Sequence, residues 1–166
     1  MTEVIVDTNV PLTADGNHMS NTCQSCCAEF VQSVIQGRHQ VVLDDQWHIL
    51  NEYQNKMLCT QNSFSHQFLK YILNNQRNTN RVKQVPITSV GEDDFDEFPE
   101  TLRSIGFDPS DRKFVAVAVS NKGKSPIVQA ADSKWVGWEN NLKKEKIKVR
   151  FLCKEELSAI FKQKMA

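Results

Sequence analysis

An α/β fold on a mostly parallel, doubly wound sheet is what the sequence predicts, and three observations carry that expectation. Short runs rich in Val and Ile alternate along the chain with segments of helical period, the order that gives a parallel sheet joined by crossover helices. Two of those runs, one ending at Asp7 and one leading to Asp132, stop at a carboxylate, and open α/β sheets take their ligands just beyond the carboxyl ends of such strands. The length of 166 residues suits one domain over 1–166 with a core of its own.

Glu3-Val4-Ile5-Val6 reads as a buried strand ended by Asp7-Thr8-Asn9. Asn17 to Gln36 is an amphipathic helix closed by Gly37. Gln40 to Leu43 forms the next strand, and Asp44 and Asp45 can cap a helix carrying Trp47, Ile49, Leu50, Tyr53 and Met57. Phe64, Phe68, Leu69, Ile72 and Leu73 mark a further helix, followed by a polar loop over Asn74 to Arg81 and a short strand over Val82 to Ile87. Glu92 to Ile105 is expected as an acidic helix with Phe95, Phe98, Leu102 and Ile105 inward, although Pro99 opposes it. Asp108-Pro109-Ser110-Asp111 starts a helix running to about Asn121, with proline at the first helical position. Pro126 to Ala131 is a strand, Lys134 to Leu142 a helix, Ile147, Val149 and Phe151 a half-exposed strand, and Leu157, Ile160 and Phe161 a terminal helix.

Lysine plus arginine equals aspartate plus glutamate at 20 each, so there is no global positive field of the kind that draws a protein onto nucleic acid, and any such binding needs a local patch. No apolar stretch approaches the roughly 20 residues of a membrane span, and the N-terminus lacks a basic segment followed by an apolar one, so a cytoplasmic protein without a membrane partner is expected. Five cysteines, an odd number, then predict reduced thiols. Cys23, Cys26, Cys27 and Cys59, with His18 and His48, offer only half of a structural zinc motif. Cys23, Cys26 and Cys27 also share a helical face with Phe30, Val31 and Val34, where cysteine serves as a small hydrophobe.

Asp7 and Asp132 would meet at one edge of a parallel sheet, and their oxygens suit magnesium or manganese, with Glu52 and Asp111 available to complete the set. Four segments carry a family resemblance: Val4-Ile5-Val6-Asp7-Thr8-Asn9, Ile49-Leu50-Asn51-Glu52-Tyr53, Asp111 to Ala118, and Ile127 to Trp135 with its Ala131-Asp132-Ser133-Lys134-Trp135. Together, and in this order over nearly the whole chain, they resemble a PIN domain. The resemblance implies a three-layer α/β/α sandwich with a central mostly parallel sheet, and a Mg2+- or Mn2+-dependent ribonuclease. It makes Asp7, Glu52, Asp111 and Asp132 the catalytic metal ligands and Asn9 a polar neighbour that orients them. Many PIN domains carry another acid where this chain has Lys134, a cation that opposes a second metal but can hold a phosphate.

Each residue also has a plainer reading. Asp111 and Asp132 suit helix caps, Asp7 a turn, and Glu52 a solvated helix face. Asp44 and Asp45 lie nearer the preceding strand end and are the alternatives to Glu52. Arg112 and Lys113 flank a proposed ligand, and with Arg77, Arg81, Lys83, Lys122, Lys124 and the segment Lys143 to Arg150 they are the material for a phosphate track. Trp135 and Trp138 suit the core by their i, i+3 spacing, with base stacking as the alternative. The expected partners are an RNA substrate and, by family analogy, an antitoxin or antiphage-defence protein, with a homo-oligomer also open. The rival reading is a catalytically silent PIN-like scaffold that binds RNA or protein; a dinucleotide or P-loop enzyme is disfavoured because neither glycine motif occurs.

Overall fold

A computed structural model describes residues 1–16, 19–57 and 62–166. Its centre is a five-stranded sheet of β1 (Thr2–Val6), β2 (His39–Asp44), β3 (Val82–Val85), β6 (Ile127–Gln129) and β7 (Val149–Phe151), in the order β3-β2-β1-β6-β7. Every pairing in it is parallel. Val4, Ile5, Val6, Val41, Val42, Leu43, Ile127 and Val128 are almost wholly excluded from solvent. Burial on both faces explains why these strands read as continuous apolar runs rather than as alternating ones. The helices are α1 (Asn9–Ala14), α2 (Asn21–Ile35), α3 (His48–Lys56), α4 (Phe64–Asn74), α5 (Glu100–Arg103), α6 (Arg112–Ser120), α7 (Lys134–Lys144) and α8 (Lys154–Met165). They flank the sheet as the outer layers of an α/β/α sandwich, and no helix among the described residues is long and apolar enough to cross a membrane.

The chain leaves β1 toward β2 and β3 on one side, then returns through α6 to place β6 on the other side of β1. This reversal opens a crevice between the carboxyl ends of β1 and β6, where α/β sheets bind ligands. Asp7 stands there, its N–H donating to the Val128 carbonyl at 3.0 Å.

Several expectations need correction. The helix expected from Asn17 starts at Asn21, with Ser20 accepting from the Cys23 N–H, while Asn17 and His18 lie outside the described residues. The short α1 before it was not foreseen; it buries Val10, Pro11 and Ala14 in six residues, too few for periodicity to declare itself. The acidic helix over Glu92 to Ile105 is instead a two-stranded hairpin, β4 (Ser89–Gly91) and β5 (Asp94–Phe95), followed by the one-turn α5 that Pro99 caps. Gly91 and Asp93 take positive φ there, at 152° and 50°, a backbone no helix accommodates. Trp47, expected within α3, precedes that helix and is 41% exposed. Trp135 and Trp138 do belong to the core, stacked around Phe107.

The expectation of wholly reduced thiols also fails, because Cys23 is disulfide-bonded to Cys153, 130 residues away. The first turn of α2 and the junction between β7 and α8 bring the two Cα atoms to 5.5 Å, within disulfide range. Cys26 and Cys27 are free, and burial pushes the Cys27 thiol up to about 12. Cys59 lies outside the described residues.

Candidate active site

Asp7, Glu52, Asp111 and Asp132 line one open cleft of about 350 Å3 at the crevice, together with Thr8, Asn9, Lys56, Asp108, Ser133 and Lys164. Four separate elements deliver the acids. Asp7 follows β1, Glu52 projects from α3, Asp111 ends a 3-10 turn (Pro109–Asp111) that runs into α6, and Asp132 sits in the turn between β6 and α7. Strand β6 stops at Gln129, three residues short of Asp132, whose carboxylate takes the Lys134 N–H at 3.1 Å.

Both oxygens of Asp7 are held. Oδ1 accepts from the Asn9 N–H at 2.9 Å, and Oδ2 from the Gln129 side-chain amide at 3.0 Å. Asn9 in turn donates to Gln129 and accepts from the N–H groups of Ala130 and Ala131 at 3.1 and 3.3 Å. The expected role of Asn9 as orienting neighbour thus has a geometric basis, and it ties the end of β1 to the end of β6. Gln129 was not foreseen, although the strand-end rule that singled out Asp132 would have found it.

Glu52 is no solvated surface acid, since its side chain is only 11% exposed. One oxygen meets the nearly buried Lys113 ammonium at 2.8 Å and Lys56 at 3.6 Å, and the other accepts from the Thr8 hydroxyl. Asp44, the nearer alternative, is fully buried and accepts from the N–H groups of Gln46, His48 and Ile49 at the start of α3. Asp45 takes the Ile87 N–H at 3.3 Å. Of these three acids, only Glu52 lines the cleft.

Asp111 does not cap its helix. It stands at the N-cap position of α6 without a side-chain cap bond, while Asp108 caps the preceding 3-10 turn, accepting from the N–H and hydroxyl of Ser110. The Asp111 carboxylate has no hydrogen-bond donor or ion-pair partner among the described residues, and burial together with the negative charge of Asp7, Asp132, Asp108 and Glu52 pushes it up to about 8. Burial, and then Glu52 and Asp132, raise Asp7 to about 6 against the pull of its two donors. One buried and three half-buried carboxylates that repel one another want a countercharge. A hard divalent cation supplies one, and the donor set is all oxygen, as Mg2+ and Mn2+ prefer.

The acids are not packed into a tight cage. Among the described residues, the group of three or more His, Cys, Asp or Glu whose donor atoms all lie within 4.8 Å of one another is Cys23, Cys27 and Cys153, not a trio from the cleft. An ion in the cleft would therefore keep part of its water shell, as Mg2+ commonly does.

The basic candidates divide. Lys134 extends to Asp108 at 3.0 Å and holds that acid below its usual range at the rim of the cleft. Arg112 lies outside the cleft lining; its guanidinium pairs with Asp94 at 3.5 Å and lies 5.3 Å from the centre of the Phe98 ring. Lys164, from the far end of the chain, donates to the Ser133 hydroxyl at 3.1 Å inside the cleft, and no local sequence pattern announces it. No histidine lines the cleft among the described residues. No protein-family model, curated protein or solved structure matches the chain.

Proposed function

We propose that the cleft is the active site of a Mg2+- or Mn2+-dependent ribonuclease that hydrolyses RNA phosphodiester bonds. The observation that carries this reading is the unpartnered Asp111 carboxylate, raised to about 8 amid four other carboxylates at the switch point of a parallel sheet. A cluster of this kind costs stability when empty and gains from a cation. When bound, the ion supplies an activated water at neutral pH and stabilises charge on the phosphoryl oxygens.

The remaining work falls to the chain. Asp7, fixed by Asn9 and Gln129, and Asp132, fixed by the Lys134 N–H, are two of the residues that would hold the ion. Asp111 adds the ligand with no competing partner. Glu52, held by Lys113 on one oxygen and Thr8 on the other, would orient water or metal at the wall of the cleft. Lys164 and Ser133 offer positive charge and a hydroxyl to a phosphate entering from the α8 side. With no histidine available, proton transfer passes through carboxylate or water. A role as a toxin or antiphage effector, restrained by a partner that covers the cleft, belongs to the same reading by family analogy.

A second reading has its own support. Lys113 on Glu52 and Lys134 on Asp108 already neutralise two of the acids, as in a scaffold that keeps the fold and has lost the metal. Incubating a panel of structured and single-stranded RNAs with the protein and each metal separates the two. Metal-dependent cleavage by the parent, abolished in Asp7→Asn and in Asp132→Asn, supports the nuclease. Intact RNA in every lane from folded, metal-loaded protein, with RNA or protein binding retained, supports the scaffold.

A further inference from the structure

We propose that Cys23, Cys27 and Cys153 form, once the disulfide is reduced, a three-sulfur site for zinc or a similar soft divalent ion, separate from the acidic cleft. Their donor sulfurs all lie within 4.8 Å of one another in a buried cluster. Sulfurs roughly 2.3 Å from a tetrahedral zinc stand about 3.8 Å apart, so modest side-chain rotation after reduction seats the ion.

The elements are arranged for it. Cys23 and Cys27 are one turn apart on α2 and share a face. Cys153 arrives from β7 as the residue before α8. Cys23 in the first turn of α2 and Cys153 at the start of α8 each lie by a helix N-terminus, whose free N–H groups and dipole favour thiolate over thiol. A hollow of about 350 Å3, lined in part by Cys23, Cys26, Cys153 and Glu155, gives the ion a path and leaves room for water as a fourth ligand. In the disulfide form Cys27 serves as a buried core side chain, whereas the metal site uses all three sulfurs.

The chemistry balances with a small dithiol as reductant. Its two sulfurs become a disulfide, and the two electrons and two protons it gives up convert Cys23 and Cys153 to thiols. Binding of Zn2+ then forms three Zn–S bonds as the thiol protons pass to solvent. A small-molecule disulfide as oxidant reverses both steps, taking two electrons from the Cys23 and Cys153 thiolates to become a dithiol with two protons from solvent while the ion leaves, so redox state and metal occupancy are linked where α8 leaves β7.

The test is Co2+ titration of the full chain, reduced by a dithiol and then freed of it without air. The expected result is a saturable near-ultraviolet thiolate-to-cobalt band that Zn2+ displaces. The band should be absent from the oxidised protein, lost in Cys27→Ser and kept in Cys26→Ser. Cys27→Ser retains the Cys23–Cys153 pair, so its re-formed disulfide verifies the fold. No thiolate band in the reduced parent, or an undiminished band in Cys27→Ser, overturns the proposal. The acidic cleft contains no sulfur, so cobalt there gives no such band, and failure of the ribonuclease reading leaves this result unaffected.

Discussion

Among single residues, Asp111 and Lys113 make the sharpest predictions, because each is a charge whose partner, or lack of one, is explicit. Asp111 titrates near 8 in the folded chain against 3.8 ordinarily. A raised carboxyl costs nothing below its unfolded value, and its ionisation takes stability away as pH rises from about 4 to about 8. Asp111→Asn should therefore be more stable than the parent at pH 8, by of order 2 kcal/mol after allowing for partial exposure, and equal to it near pH 4. Thermal melts across that range without metal check it; a parent that does not weaken relative to the variant as pH rises contradicts the assignment. Lys113→Met should cost roughly 3 kcal/mol in urea denaturation by leaving Glu52 buried without its closest cation, and adding Glu52→Gln should recover most of it. Independent, additive losses in the double variant would show that the pair is not coupled.

At the scale of elements, the contact between α7 and α8 is sensitive to a single methyl group. A Cβ on Gly137 would come within 2.9 Å of the Phe161 ring. Gly137→Ala gains up to about 1 kcal/mol of helix propensity but forces the ring aside at a cost of about 1–3 kcal/mol. The expected net is a modest loss of stability with faster amide exchange confined to α8; a net gain with unchanged exchange would show that Phe161 yields freely. The sequence made most elements legible, and the failures have physical causes. Phe95, Phe98, Leu102 and Ile105 keep helical spacing, and the first three are deeply buried, yet they sit on a hairpin, a loop and one helical turn. Spacing records burial, and only Gly91 and Pro99 recorded the breaks in the backbone. Glu52 was legible because it lies on the same helix as Ile49 and Tyr53, whose burial fixes the rotation of α3. Lys164 and the Cys23–Cys153 pair were not, because contacts across 31 and 130 residues leave no trace in a local pattern.

For the molecule as a whole, the strand order does the functional positioning. Placing β6 beside β1 joins Asp7 to the turn bearing Asp132, and α3 and the 3-10 turn before α6 add Glu52 and Asp111 from the same edge of the sheet. A chain with no net charge thus gathers five of its carboxylates at an edge where its topology opens a crevice. The central claim is that this edge binds a hard divalent cation through these acids. The measurement that tests it most directly is Mn2+ titration at pH 7.5, following the loss of the free-ion resonance, for the parent and for Asp111→Asn. Saturable binding by the parent, weakened roughly tenfold or more in a variant that melts no lower, is the predicted result. Equal binding by both proteins, or none by a folded parent at millimolar Mn2+, would contradict it.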